Sequence, residues 1–168
     1  MKARAFADRA LDAVALLALA VWLGGYATLG AVVAPLVFGR IPAPYSGDAM
    51  SAVFRRFDTV AIACAVIALL VEAARAALRV RPIVKLDLAR ASFIGCAAAV
   101  AIYVGTVVSP HIEQLHNDGA VRGSGPAGLE LDAVHHTAEA LAKLELTLLL
   151  ASLTLYAFRP SRDPSPSA

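Results

Sequence analysis

Residues 132–158 read DAVHHTAEALAKLELTLLLASLTLYAF, and they decide the fold, because they carry ionisable side chains into a run otherwise apolar enough to span a membrane. At about 100° per residue, His135, Glu139, Lys143, Thr147 and Thr154 fall within about 120° of one another, with Asp132 and His136 in the same sector. One polar stripe results. Glu145 lies roughly on the opposite side, so this helix is expected to meet protein on at least one flank rather than sit bare in lipid.

The whole chain agrees with that reading. Of its 168 residues 59% are hydrophobic and 17% charged, and the mean hydropathy is +0.69. This is too apolar for an ordinary soluble domain. A net charge of +2 with clustered basic residues argues for membrane orientation and against a nucleic-acid partner. Cys64 and Cys96 both lie in apolar stretches, so they read as packing residues and not as a disulfide framework.

Working outward, four spans are expected at about 12–38, 58–78, 91–109 and 134–158, making an all-α integral membrane four-helix bundle of residues 1–158. The first run, Ala13 to Phe38, is uncharged and too long for a signal-peptide core, so it is read as an uncleaved helix, tilted or kinked near Pro35. Ala20, Gly24 and Thr28 recur at every fourth position along it, beside Trp22 and Tyr26, and predict a groove for a second helix. Ser46 caps a short interfacial helix between the first and second spans, with Met50, Val53, Phe54 and Phe57 apolar and Arg55 and Arg56 polar. In the second span Glu72 and Arg75 can pair locally, with Arg75 and Arg79 snorkelling to headgroups. Pro82 interrupts the next connection. A second small-residue seam, Ala97, Ala101, Gly105 and Ser109, suggests that spans one and three pack closely or that each grips another neighbour, and Pro110 closes the third span.

Residues 111–131 read as a loose hydrophilic loop, with Asn117-Asp118-Gly119 a turn signal. Residues 159–168 lack anything to bury and read as a disordered cytoplasmic tail. Lys2, Arg4, Arg9, Arg75, Arg79, Arg81, Lys85, Arg90, Arg159 and Arg162 outnumber Arg40, Arg55, Arg56 and Arg122, which places both termini in the cytoplasm; the membrane is expected to be of the bacterial inner (plasma) type.

The chemistry-bearing residues concentrate near the outer end of the last span. Glu139 and Lys143 can pair at i, i+4, and with His136 and Glu145 they form a candidate substrate or proton stripe. Glu145 has no partner on its own helix; it is expected to be protonated or to meet a donor from another segment, Arg55 or Arg56 being the candidates. His111, His116, His135 and His136 gather at the same end and, with Glu113 and Glu139, offer ligands for a divalent metal, although the spacing matches no metal motif. Haem b fits less well, since axial histidines belong deeper in a bundle. No phosphate loop, nucleophile elbow or Ser/His/Asp set occurs, so no enzyme activity and no resident cofactor are expected.

The arrangement resembles the transmembrane protein 205-like family, which includes the bacterial domain of unknown function numbered 4149. The resemblance runs from about Leu11 to Phe158 and rests on short elements of this sequence. These are Ala34-Pro35-Leu36-Val37-Phe38, then Phe54 and Phe57, then Ser109-Pro110 with Ile112 and Leu115, and a His opening the last helix. The resemblance marks Pro35, Phe38 and Pro110 as structural positions. The family's last-helix pattern, roughly His-x-x-Ser-x-x-x-Asn, falls on His136, with Glu139 and Lys143 where the family has a hydroxyl and an amide. It implies a four-helix topology and, through a link of some eukaryotic members to platinum-drug resistance, hints at export or vesicle traffic. Three readings follow. The first is an accessory or interaction protein, as a homo-oligomer or within a larger membrane complex. The second is a small transporter or export factor using the stripe, and the third is a metal-handling protein built on the histidines.

Overall fold

The computed structural model describes residues 2–42, 45–78 and 85–158, with side chains from residue 6 onward. Four helices long and apolar enough to cross a membrane make up almost all of it. We label them α1 (Lys2–Thr28, continued by Leu29–Val33 and Ala34–Arg40), α2 (Tyr45–Leu78), α3 (Lys85–Tyr103, continued by Val104–Val108 and Ser109–Asn117) and α4 (Gly125–Ala157). The chain is a four-helix, multi-pass membrane protein. The tail, Pro82, Arg79 and Arg81 lie outside the described residues.

The helices run up, down, up, down. Asp12, Glu72, Arg90 and Tyr156 meet at one end, here the terminal end. Glu113, His116 and His135 mark the opposite, histidine end. α1 packs on α2 and α4, α3 packs on α2 and α4, and α1 and α3 stand diagonally apart. Lipid tails are as apolar as the side chains, so close packing must hold such helices together. The buried faces are accordingly small: Ala15 and Ala18 on α1, Ala61, Ala65 and Ala68 on α2, Ala97, Ala98 and Ala101 on α3.

Several expectations are corrected here. The seam on α3 does not meet α1 but grips other neighbours, with Gly105 against Asp58 and Ile62 of α2 while α3 also packs on α4. Ala20, Gly24 and Thr28 face outward, because Trp22 turns the other side of α1 into the bundle. Gly25, not Gly24, makes the close approach: a Cβ there would lie 2.1 Å from the Phe57 ring. Among the described residues there is no separate interfacial helix. From Asp48 to Leu78 there is neither Gly nor Pro, so α2 is one helix of 34 residues, ~51 Å at ~1.5 Å per residue, and it outruns the ~30 Å hydrocarbon core.

Neither Pro35 nor Pro110 ends its helix. Each follows a five-residue π-turn, Leu29–Val33 or Val104–Val108, where the last amide bonds five residues back, Ala34 to Leu29 and Ser109 to Val104. In that register the missing proline N–H falls opposite the carbonyl of Gly30 or Gly105, and the widened turn relieves the ring's clash with the preceding turn. Arg55 Nη1 takes up the released Gly105 carbonyl at 3.3 Å.

The segment after α3 is tighter than its composition suggests. Leu115 to Ala120 close α3 in a Schellman motif: Ala120 N–H bonds Leu115 O and Gly119 N–H bonds His116 O, with Gly119 at φ 79°. The Asn117-Asp118-Gly119 turn signal is this motif. Ser124, extended at φ −120°, then precedes α4, which begins at Gly125 with proline at its first positions, nine residues before the start expected at about 134. The backbones meet at Gly128, where a Cβ would lie 2.1 Å from the Val121 carbonyl oxygen. Gly128→Ala is therefore expected to destabilise the purified protein by about 1–3 kcal/mol in detergent, since backbone must give way. Gly24→Ala, with nothing within 4 Å, is the control. Equal melting of the two variants would contradict the packing at Gly128.

Candidate functional site

Polar side chains enter the bundle at three levels. At the terminal end Glu72 is the hub. Its Oε1 accepts from Arg75 Nη1 (2.6 Å), Arg90 Nε (3.2 Å) and Tyr156 OH (3.1 Å), and its Oε2 accepts from Arg90 Nη2 (3.0 Å). Arg75 also reaches Asp12 and donates to Tyr156 OH at 2.8 Å, and Arg90 reaches Asp87 at 3.0 Å. Both guanidiniums lie beside the Tyr156 ring, at 4.5 Å for Arg90 and 5.4 Å for Arg75. Every helix contributes. Arg75 and Arg90 are buried, at 8% and 2% exposure. The expected snorkelling of Arg75 is thus corrected, because Glu72 on its own helix, Asp12 on α1 and Tyr156 on α4 take its two terminal nitrogens inside the bundle.

About half-way along stands Glu145, fully buried. Trp22 Nε1 donates to its Oε1 at 2.6 Å and Tyr26 OH donates to its Oε2 at 3.1 Å. The expected partners Arg55 and Arg56 do not meet it. Glu145 is eleven residues from Tyr156 and Trp22 ten from Asp12, so both lie ~15 Å from the terminal network, near mid-membrane. Arg55 sits higher, where its Nε pairs with Glu113 Oε2 at 3.0 Å. The Tyr26 ring is held edge-on by Phe57 at 4.8 Å, and beside Phe57 in sequence lies Asp58, buried, with Oδ2 lacking any hydrogen-bond partner among the described residues.

The stripe on α4 points away from all of this. Lys143 Nζ bonds Glu139 Oε1 at 2.7 Å, and the side chains of His136, Glu139 and Lys143 are 67%, 59% and 72% exposed. Thr147 and Thr154 donate to their own helix backbone, at Lys143 O and Leu150 O. With Glu145 facing inward, the four candidate residues do not share one site.

The family model for the domain of unknown function DUF4149 matches residues 17–120. The chain belongs to this family. No curated protein and no solved structure matches it. The matched part of this DUF4149 protein contains Trp22, Tyr26, Asp58, Glu72, Arg75 and Arg90 and ends before α4, so Glu145, Tyr156 and the stripe lie beyond it.

The four histidines do not converge. His116 and His135 stack edge to face at 5.9 Å, with His116 Nδ1 donating to Ile112 O. His111 pairs instead with Glu130 at 3.1 Å, and His136 faces Asp132 and Glu139 on the surface of α4. Among the described residues no three His, Cys, Asp or Glu side chains are placed to share a metal ion.

Sequence reasoning missed Trp22, Tyr26, Asp58 and the terminal network as polar partners. A signal was present: an indole and a phenol four residues apart, at the same depth as Glu145, which has no partner on its own helix.

Proposed function

We propose that this DUF4149 protein is a membrane interaction protein without enzymatic activity, and that the outer face of α4 docks against a second copy or a partner helix. The observation that carries this reading is the Glu139–Lys143 pair, standing on the outside of a helix long and apolar enough to span a bilayer. Ionised side chains facing acyl chains are costly, and neighbouring protein lowers that cost. In this reading, set in a bacterial-type inner membrane, the distribution of Lys and Arg supports cytoplasmic termini and an outward-facing histidine end.

Photo-crosslinker introduced in native membranes at Thr147, on this face, is expected to give a discrete protein adduct. The same crosslinker at Leu70, 63% exposed on α2, is expected to give lipid adducts alone. Lys143→Met should abolish the Thr147 adduct. Lipid adducts alone from both positions would defeat the docking reading.

A small transporter or export factor is the second reading, favoured by the two buried carboxyls, Glu145 and Asp58, and by a cavity that reaches Asp58 from the side of the bundle. Four helices are few for alternating access, so transport also calls for an oligomer.

A further inference from the structure

A cavity of about 260 Å³ opens between α2 and α3, lined by Arg55, Arg56, Asp58, Thr59, Ile62 and Gly105. Its wall is shaped by the second π-turn. Gly105 leaves no room for a Cβ, which would meet Ile62 Cδ1 at 2.8 Å and Asp58 Cβ at 3.3 Å. The Gly105 carbonyl, released by Pro110, is turned toward Arg55. Asp58 forms part of the wall and is 6% exposed; Ser109 hydrogen-bonds its carboxyl, but Oδ2 has no hydrogen-bond partner among the described residues. A buried carboxylate oxygen left unmatched beside a cavity calls for a hydrogen-bond donor from outside the chain.

The cavity also has a cationic side. Arg56 is exposed, and Arg55 is held in place by Glu113 at 3.0 Å, so guanidiniums line the same cavity as the acid. A ligand that fills it must carry a cationic donor and an anion a few ångströms apart. Residues 55–59 lie thirteen to seventeen positions from Glu72 along α2, about 20–25 Å, close to the far edge of a ~30 Å hydrocarbon layer. That is headgroup depth. One turn deeper, Val66 on α2 and Ile102 on α3 are 44% and 42% exposed, which continues an apolar surface from Ile62 toward mid-membrane.

We infer that this cavity is a binding site for a zwitterionic aminophospholipid headgroup, a primary ammonium against Asp58 and a phosphate against Arg55 and Arg56, with an acyl chain laid over Ile62, Val66 and Ile102. A primary ammonium supplies the hydrogen-bond donor that Asp58 Oδ2 lacks, and a guanidinium matches phosphate oxygens in pairs. Phosphatidylcholine, whose quaternary ammonium has no N–H, and phosphatidylglycerol, which has no cation, each satisfy only half of the site.

The test is native mass spectrometry of the full-length protein in mild detergent, loaded with equimolar phosphatidylethanolamine, phosphatidylcholine and phosphatidylglycerol. Phosphatidylethanolamine should be retained about tenfold over either competitor, as one charge-assisted hydrogen bond allows. Asp58→Asn should remove the preference, and Arg56→Gln should weaken all three lipids alike. Should Asp58→Asn fail to elute as folded protein, Ile62→Trp, which fills the cavity, should likewise remove the preference. Free phosphoethanolamine at millimolar concentration should not bind measurably. If it binds while the lipids are retained equally, the site is one for a soluble phosphoamine and the lipid assignment falls. Equal retention of the three lipids, or a preference unchanged in both Asp58→Asn and Ile62→Trp, also overturns it.

Discussion

Glu72→Ala is expected to be the most damaging single substitution in the chain, lowering stability by about 3–5 kcal/mol, because it leaves two buried guanidiniums facing each other without their shared acid. Glu72 accepts four hydrogen bonds from three side chains on α2, α3 and α4, and Arg75 extends the network to Asp12 on α1. The comparison that isolates burial is Glu130→Ala. Glu130 also pairs with a basic group, His111 at 3.1 Å, but both side chains are about half exposed, at 55% and 42%. Water and salt screen such a pair, so its loss should change stability by less than about 1 kcal/mol. Arg90→Lys belongs to the same series. An ammonium reproduces the charge but not the three-nitrogen fork that spans Glu72 and Asp87, so it should recover only part of the loss. Denaturant unfolding of purified protein in detergent reads all three. Equal losses for Glu72→Ala and Glu130→Ala would show that the terminal network contributes no more than a surface pair.

This network also shows what the sequence could and could not disclose. Four apolar runs are visible as runs, and the helices follow them. Glu72–Arg75 and Asp87–Arg90 are both i, i+3 pairs, and such a pair looks complete on its own helix. Nothing local distinguishes a surface pair from one of two buried clasps that share a carboxylate across helices. The prolines misled in the opposite direction. Pro110 has the local chemistry of a helix stop, yet Val104–Val108 relaxes to the π register and the helix continues to Asn117.

The polar face of α4 is a subtler case. Its angular clustering is legible from spacing alone, but clustering does not say which way the cluster turns. Glu139 and Lys143 satisfy one another at i, i+4, so they tolerate the outside of the bundle. Glu145 has no such partner and must seek one on another helix. On α4 the self-satisfied pair lies outside and the lone acid inside, so the want of a same-helix partner is the criterion that sets Glu145 apart from the more conspicuous stripe.

The same criterion leads to the second large effect. Glu145→Leu keeps the volume and removes both acceptors, leaving Trp22 Nε1 and Tyr26 OH to be satisfied by nothing in a dry interior. Interhelical hydrogen bonds in membranes are worth only ~0.6 kcal/mol each on average when the freed groups find new partners. Donors left unpaired cost about 1–3 kcal/mol apiece. Trp22 is 0% exposed, which removes water as a substitute and favours the larger figure, a loss of about 2–5 kcal/mol in total. Glu145→Gln should stay within about 1 kcal/mol of the parent, because its amide oxygen still accepts from Trp22 and the Tyr26 hydroxyl can rotate to accept from the new NH₂ group. The decisive variant is the triple change Trp22→Phe, Tyr26→Phe, Glu145→Leu. It removes donors and acceptor together and should recover most of what Glu145→Leu loses, since an apolar replacement of both partners is nearly neutral. Trp22 is the chain's only tryptophan, so its emission reads this site directly. The emission should move to shorter wavelength in Glu145→Leu and remain in place in Glu145→Gln. A triple variant no more stable than Glu145→Leu, with Trp22 emission unmoved in both single variants, would mean that the acid at mid-membrane is not what joins α1 to α4.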